Sequence, residues 1–147
     1  MYQIYADASH SDFAGLASIS VHITKDKLVL GNITYLKKCR TSGEAELIAL
    51  NKAITVMKKW KQFLDVNEKM KIYTDHQGNI TKLRKGKDIK GIEKEMMQSV
   101  KINFKEFCKA KNKSISCIER KKNKAHSECY KALRKILRRE HYIIEYE

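Results

Sequence analysis

The sequence has no proline, only six glycines and a single tryptophan in 147 residues. Without proline no helix or strand has to break for want of a backbone donor, which suits regular elements and says nothing of function. No run approaches the ~20 apolar residues of a membrane-spanning helix, so no such helix and no membrane partner is expected. Met1 leads straight into a strand-like segment with no signal-peptide pattern, and the reading is of a soluble, cytoplasmic protein. Cys39, Cys108, Cys117 and Cys129 have no CxxC spacing. They are expected to be reduced, buried or half-buried, and to serve packing only. Acids are scarce beside bases: 17 Asp and Glu face 31 Lys and Arg, a formal charge of +14.

Against these absences stands an apolar fraction of 42%, which excludes intrinsic disorder despite the charge. The length suits one domain over residues 1–147, and a chain of this size buries ~70% of its unfolded surface. The basic excess is spread over Lys82 to Lys94, Lys109 to Lys113, Arg120 to Lys124 and Lys131 to Arg139. Such a field draws in a polyanion, with nucleic acid the usual candidate. The competing reading is that lysines merely solvate outer helix faces. An anionic membrane surface fits less well, because no basic stretch also carries a sustained aromatic or leucine face.

Tyr2 to Asp7 reads as a strand. Ser18 to Thr24 alternates Ile19, Val21 and Ile23 against Ser20, His22 and Thr24, the pattern of a half-buried strand. Leu28 to Leu36 completes an antiparallel meander. The period then changes: Leu47, Leu50, Ala53, Ile54 and Met57 predict an amphipathic helix from Ser42 to about Lys61, capped by Thr41 or Ser42. Lys71 to Asp75 is a strand, followed by a short helix from Gly78 to about Arg84. A longer helix carries Ile92 to Cys108, Ser114 to Ile118 is a last strand, and Ala125 to about Arg139 a last helix. The order β-β-β-α-β-α-α-β-α implies an α/β mixed sheet, three antiparallel strands plus two parallel ones, flanked by helices.

Two carboxylates, Asp7 and Asp75, close strands. In open α/β sheets ligands gather beyond the carboxyl ends of parallel strands. If these strands are parallel neighbours the two acids face each other, and a divalent cation between them removes the repulsion. Taken singly, an Asp after a strand is more often a turn residue. The first helix supplies a third acid. Glu46 shares a face with Ala49, Leu50, Ala53, Ile54 and Met57, where an unpaired carboxylate is costly. Glu44 faces Asn51, Lys52 and Thr55 instead and reads as an ordinary first-turn acid that favours the helix dipole.

Asp7-Ala8-Ser9 after a first strand, Thr41 through Glu46-Leu47-x-Ala49 on a helix, and Ile72-Tyr73-Thr74-Asp75 ending a fourth strand together resemble ribonuclease H. Arg120 to His126, ahead of a helix, resembles the stretch that brings that family's last acid. The resemblance covers nearly the whole chain. It implies a ribonuclease H-like fold and an endoribonuclease that cuts the RNA strand of RNA–DNA hybrids with two Mg²⁺ ions, Mn²⁺ being an alternative. Position by position, Asp7, Glu46 and Asp75 match the first three metal-binding acids. His126 stands where the last Asp belongs, and is either a fourth ligand or a helix-start histidine without a role. Glu128, the nearest acid, has an outward phase. His76 replaces the serine usual after the third acid, and no mobile histidine loop is evident. Ser9, Ser42, Asn123 and Arg120 fall near positions that contact the substrate.

Two rival classes remain. A non-catalytic nucleic-acid-binding module on the same fold would use the charge without the metal, and a metal nuclease of a related fold would act on DNA. No obligate protein partner is evident from the sequence.

Overall fold

The computed structural model describes the backbone of residues 1–146 and the side chains of residues 1–137. Five strands form one sheet: β1 (Tyr2–Ser11), β2 (Leu16–Lys25), β3 (Leu28–Lys38), β4 (Met70–Thr74) and β5 (Lys113–Cys117). Their spatial order is β3-β2-β1-β4-β5. The first three are antiparallel, and β1–β4 and β4–β5 are parallel. The helices are α1 (Ser42–Lys59), α2 (Gln77–Arg84), α3 (Lys94–Lys109) and α4 (His126–Tyr146), with short 3₁₀ turns at Lys61–Phe63 and Arg120–Lys122. The element order is the one read from the sequence. Among the described residues, no helix is long and apolar enough to cross a membrane.

Register fixes the two faces of this sheet. Ile4 lies opposite Ile23, Ala6 opposite Val21, and Ala8 opposite Ile19, so these side chains share one face. Ile72 of β4 and Ile115 of β5 continue it. Against it α1 packs Leu47, Leu50, Ala53, Ile54 and Met57, all buried as their spacing predicts. Burying one such Leu or Ile contributes ~1.5–3 kcal/mol. Ala45, Ile48 and Val56 of α1 are buried as well, and α3 lies against the same helix with Val100, Phe104 and Phe107 in the core. Trp60 closes over Gly31 so tightly that a Cβ there would meet its ring at 2.8 Å.

The other face is the surprise. Asp7, Ser18, Ser20, His22 and Thr24 point away from the apolar core, yet Ser18 and Ser20 are fully buried and Thr24 is 1% exposed. Helix α4 lies over β1, β2 and β3 on this side, burying its own Ala125, Cys129 and Leu133. The half-buried strand expected for Ser18 to Thr24 is therefore buried on both faces. Alternation in a strand reveals which side chains are polar, not whether a distant helix covers them.

Two turn details guide the strands. The β2–β3 hairpin is closed by Asp26 and Lys27, both at positive φ (48° and 71°), the conformation that a two-residue type I′ turn requires. A register shift follows at Ile23/Thr24. Thr41, not Ser42, caps α1, its hydroxyl accepting from the Glu44 amide at 3.1 Å.

Candidate active site

Asp7 does not close its strand. β1 runs on to Ser11, paired throughout with β2, but its pairing with β4 ends at Tyr5–Tyr73. Beyond that pair the two parallel strands part, and Asp75 follows β4 at the same end of the sheet. Glu46 enters from the first turns of α1. Carboxylate oxygens of Asp7, Glu46 and Asp75 lie within 4.8 Å of one another, drawn from three separate elements. The convergence expected from sequence is present.

Three acids this close are electrostatically costly. Asp7 is 1% exposed, and burial, then the charge of Asp75, raises its carboxyl above the usual range. Burial pushes Glu46 up to about 9, with the charges of Asp7 and Asp75 adding to it. Among the described residues the Glu46 Oε2 atom is buried without a hydrogen-bond partner, which a native structure rarely tolerates. A divalent cation at this point would satisfy that oxygen and cancel the repulsion, and an all-oxygen donor set suits Mg²⁺ or Mn²⁺. The residues fit such an ion.

His126 approaches from the start of α4, its Nδ1 2.7 Å from Asp7 Oδ2. It is not a member of the three-carboxylate cluster but forms a second group with Asp7 and Cys129. Cys129 is fully buried, with Sγ 3.6 Å from Asp7 Oδ2 and 3.4 Å from Ser9 Oγ. Cys108 and Cys117, expected to be buried or half-buried, are exposed, whereas Cys129 is buried as expected but also lines the site. The available signal was the three-residue step from His126, which places both on one helix face. Glu128 is exposed, as its phase implied.

The proposed substrate contacts divide. Ser42 is exposed beside the Thr41 cap, and Arg120, 73% exposed, brings Nε to 3.4 Å from Asp75 Oδ2. Ser9 is half-buried against Cys129. Asn123 is placed differently from the expectation: it is 4% exposed and committed inward. Its amide donates to the Ala6 carbonyl at 2.9 Å, and its Oδ1 accepts from the Ala125 amide at 3.1 Å. It fastens the entry to α4 onto the strand that carries Asp7. His76 caps α2, Nδ1 accepting from the Asn79 amide at 3.2 Å.

Glu44 is another correction. Far from facing solvent, it is 9% exposed, paired with Arg40 at 3.3 Å, on the flank of α1 lined also by Ile48 and Met96. Helical phase located the sheet-facing stripe but not this second packed flank.

No family model and no curated protein matches the sequence. Solved structures do. The chain superposes on LC11-RNase H1, isolated from compost by a metagenomic approach, with TM-score 0.74 and 24% identity, covering 92% of this chain and 97% of that one. The same protein in complex with an RNA/DNA hybrid gives TM-score 0.71 and 21% identity over 93% and 99% of the two chains. RNase H1 from the halophilic archaeon Halobacterium salinarum gives TM-score 0.66 and 15% identity over 87% and 92%. This is the ribonuclease H fold. Its mixed sheet, with parallel β1 and β4 meeting α1 at one end, is what brings the three carboxylates together in this chain.

Proposed function

We propose that this protein is a metal-dependent endoribonuclease that cleaves the RNA strand of RNA–DNA hybrids, a cytoplasmic enzyme acting as a single ribonuclease H-like domain. The observation that carries the reading is the orphaned Glu46 Oε2 inside a triangle of carboxylates, a site whose charge makes sense only around a cation. The hybrid as substrate is supported by the RNA/DNA complex of the LC11 enzyme and by the charge of +14.

Asp7, Glu46 and Asp75 would hold two divalent ions, Mg²⁺ or Mn²⁺, and no side chain need act as covalent nucleophile. When bound, such ions activate a water and stabilise the leaving oxygen of the phosphodiester. Asp7 is held in place from the α4 side by His126, and that helix is fastened by Asn123. The ring orients the Asp7 carboxylate and is the candidate fourth ligand. Arg120, beside Asp75 and largely exposed, and Ser42 at the start of α1 are placed to meet the phosphate backbone, with Ser9 at the inner edge. Phosphate contacts grip without regard to base sequence, so RNA must be distinguished through its 2′-hydroxyls.

The test is cleavage of a strand-labelled RNA–DNA hybrid with Mg²⁺ and with Mn²⁺. Wild type should cut only the RNA strand. Asp7→Asn and Asp75→Asn should lose at least ~10²–10³-fold of the rate, the scale on which removing a preorganised charge stabiliser acts. Salt-sensitive hybrid binding with no cleavage in either metal would replace the enzyme with a binding module. Cleavage of DNA alone would move the reading to a related nuclease.

A further inference from the structure

We propose that Asp7, His126 and Cys129 form a second metal site, a carboxylate–imidazole–thiolate set for zinc that shares Asp7 with the three-carboxylate cluster. Zinc binding is inferred from these three residues alone; only its consequence, inhibition of cleavage, rests on the nuclease reading.

The geometry is that of a compact three-ligand site. His126 and Cys129 are three residues apart on α4 and present their donors on one face, above Asp7 on β1. One atom from each lies within 4.8 Å of the others. Zinc bound at ~2.3 Å to sulfur and ~2.0–2.2 Å to nitrogen and oxygen holds tetrahedral ligands about 3.3–3.6 Å apart. The Cys129 Sγ to Asp7 Oδ2 separation, 3.6 Å, already meets that spacing. The His126 Nδ1 to Asp7 Oδ2 separation, 2.7 Å, is that of a hydrogen bond, so the ring has to open by ~0.6–0.9 Å as the cation takes the place of the hydrogen between them. His126 is 33% exposed at its side chain, which leaves a path for the ion and a fourth position for water.

Donor chemistry separates the two sites. Asp7, Glu46 and Asp75 offer only hard oxygen, whereas His126 and Cys129 add nitrogen and soft sulfur, the set that zinc favours and magnesium does not. Without metal the Cys129 thiol donates to the His126 carbonyl, with Sγ 3.2 Å from the oxygen. Zinc entry releases the thiol proton to solvent, while the His126 ring carries its hydrogen on Nε2 as Nδ1 turns to the metal; no oxidant or other reactant is needed. Zinc here would take Asp7 Oδ2 and His126, the candidate fourth ligand, away from the carboxylate cluster, so the two metals compete.

The experiment uses Co²⁺ as a spectroscopic stand-in for zinc, on the full chain with exposed Cys108 and Cys117 changed to serine so that they do not contribute. A thiolate-to-cobalt charge-transfer band should appear, be displaced by Zn²⁺, and persist in Glu46→Gln and Asp75→Asn. In Cys129→Ser it should vanish, and zinc affinity should fall by more than the ~10–100-fold typical of losing an outer-shell partner. Cys129→Ala, checked by circular dichroism, separates ligand loss from misfolding. A band that survives in folded Cys129→Ser or Cys129→Ala, or none in the parent, overturns the site. Equal zinc inhibition of hybrid cleavage in the parent and in Cys129→Ser overturns the competition. If the parent binds cobalt through sulfur but never cleaves a hybrid, the zinc site stands and the nuclease reading falls.

Discussion

The two faces of the sheet are built on opposite terms. Towards α1 the strands present Ile4, Ala6, Ile19, Val21, Ile23 and Ile72, closed over by Leu47, Leu50 and Ala53. Towards α4 they present Asp7, Ser18 and Ser20, fully covered, and His22, half-buried, while among the described residues Ser18 Oγ and His22 Nδ1 have no hydrogen-bond partner. The first face gains by removing apolar area from water; the second gives up hydration for incomplete hydrogen bonding. Burial alone therefore does not say where stability resides. The apolar face holds the fold together, and the polar face carries a cluster that an apolar interior would not tolerate. Folds commonly concentrate such local conflicts at functional sites.

The sharpest way to test that division is to remove an equal part from each side. Leu50→Ala, at a position 1% exposed, should cost about 2–5 kcal/mol of unfolding free energy by urea titration. On the polar face the largest stability effect should come from Asn123, the fastening of α4. Asn123→Ala strands the Ala6 carbonyl and the Ala125 amide and should cost about 1–3 kcal/mol. It should also slow hybrid cleavage, because His126 loses its register against Asp7. Asn123→Asp keeps the acceptor for Ala125 but sets a buried carboxylate oxygen against the Ala6 carbonyl, so it should cost at least as much as Asn123→Ala. A variant that unfolds more easily but cleaves at the wild-type rate would show that α4 does not position the site.

The same division explains what the sequence made legible. Glu46 stood out because an acid on a stripe of Leu50, Ala53 and Met57 breaks a local rule, and the order of elements put Asp7 and Asp75 at one sheet end. Cys129 and Glu44 each meet an element remote in the chain, β1 and the α3 side. The burial of Cys129 was expected but not its contact with Asp7, and periodicity within one helix carries no information about the second flank that buries Glu44. Asn123 looked like a turn residue available to a ligand, since nothing local reveals that Ala6 has a carbonyl waiting for it.

A smaller effect separates the faces by pH. In metal-free protein the folded state holds the Glu46 proton up to about 9, whereas the unfolded chain gives it up near 4.5. Between those values the folded state binds more protons, so this group lowers stability as pH rises through the window. Glu46→Gln removes the loss. With EDTA present its melting temperature should match wild type near pH 4 and exceed it increasingly towards pH 8.5. Added Mg²⁺ should raise wild type more than the variant. A pH-independent difference would mean that Glu46 is not the group held protonated.

The smallest predicted change is the most discriminating about why the polar face persists. Among the described residues Ser18 Oγ is fully buried without a partner, while Ser20 Oγ shares a hydrogen bond with Thr34 Oγ1 at 3.0 Å. Ser18→Ala removes a desolvated hydroxyl that gains nothing, and should be neutral or stabilising by up to about 1 kcal/mol in thermal melts. Ser20→Ala should cost up to about 1 kcal/mol for the lost hydrogen bond, since the exposed Thr34 hydroxyl can turn to water. If Ser18→Ala were instead clearly destabilising, its hydroxyl would have a partner, such as a buried water, and the α4 face would be a satisfied polar network. A stabilised Ser18→Ala means that α4 does not rest on hydrophilic packing for its own sake. It is held there by Asn123 and His126, residues whose contacts run to the strand bearing Asp7.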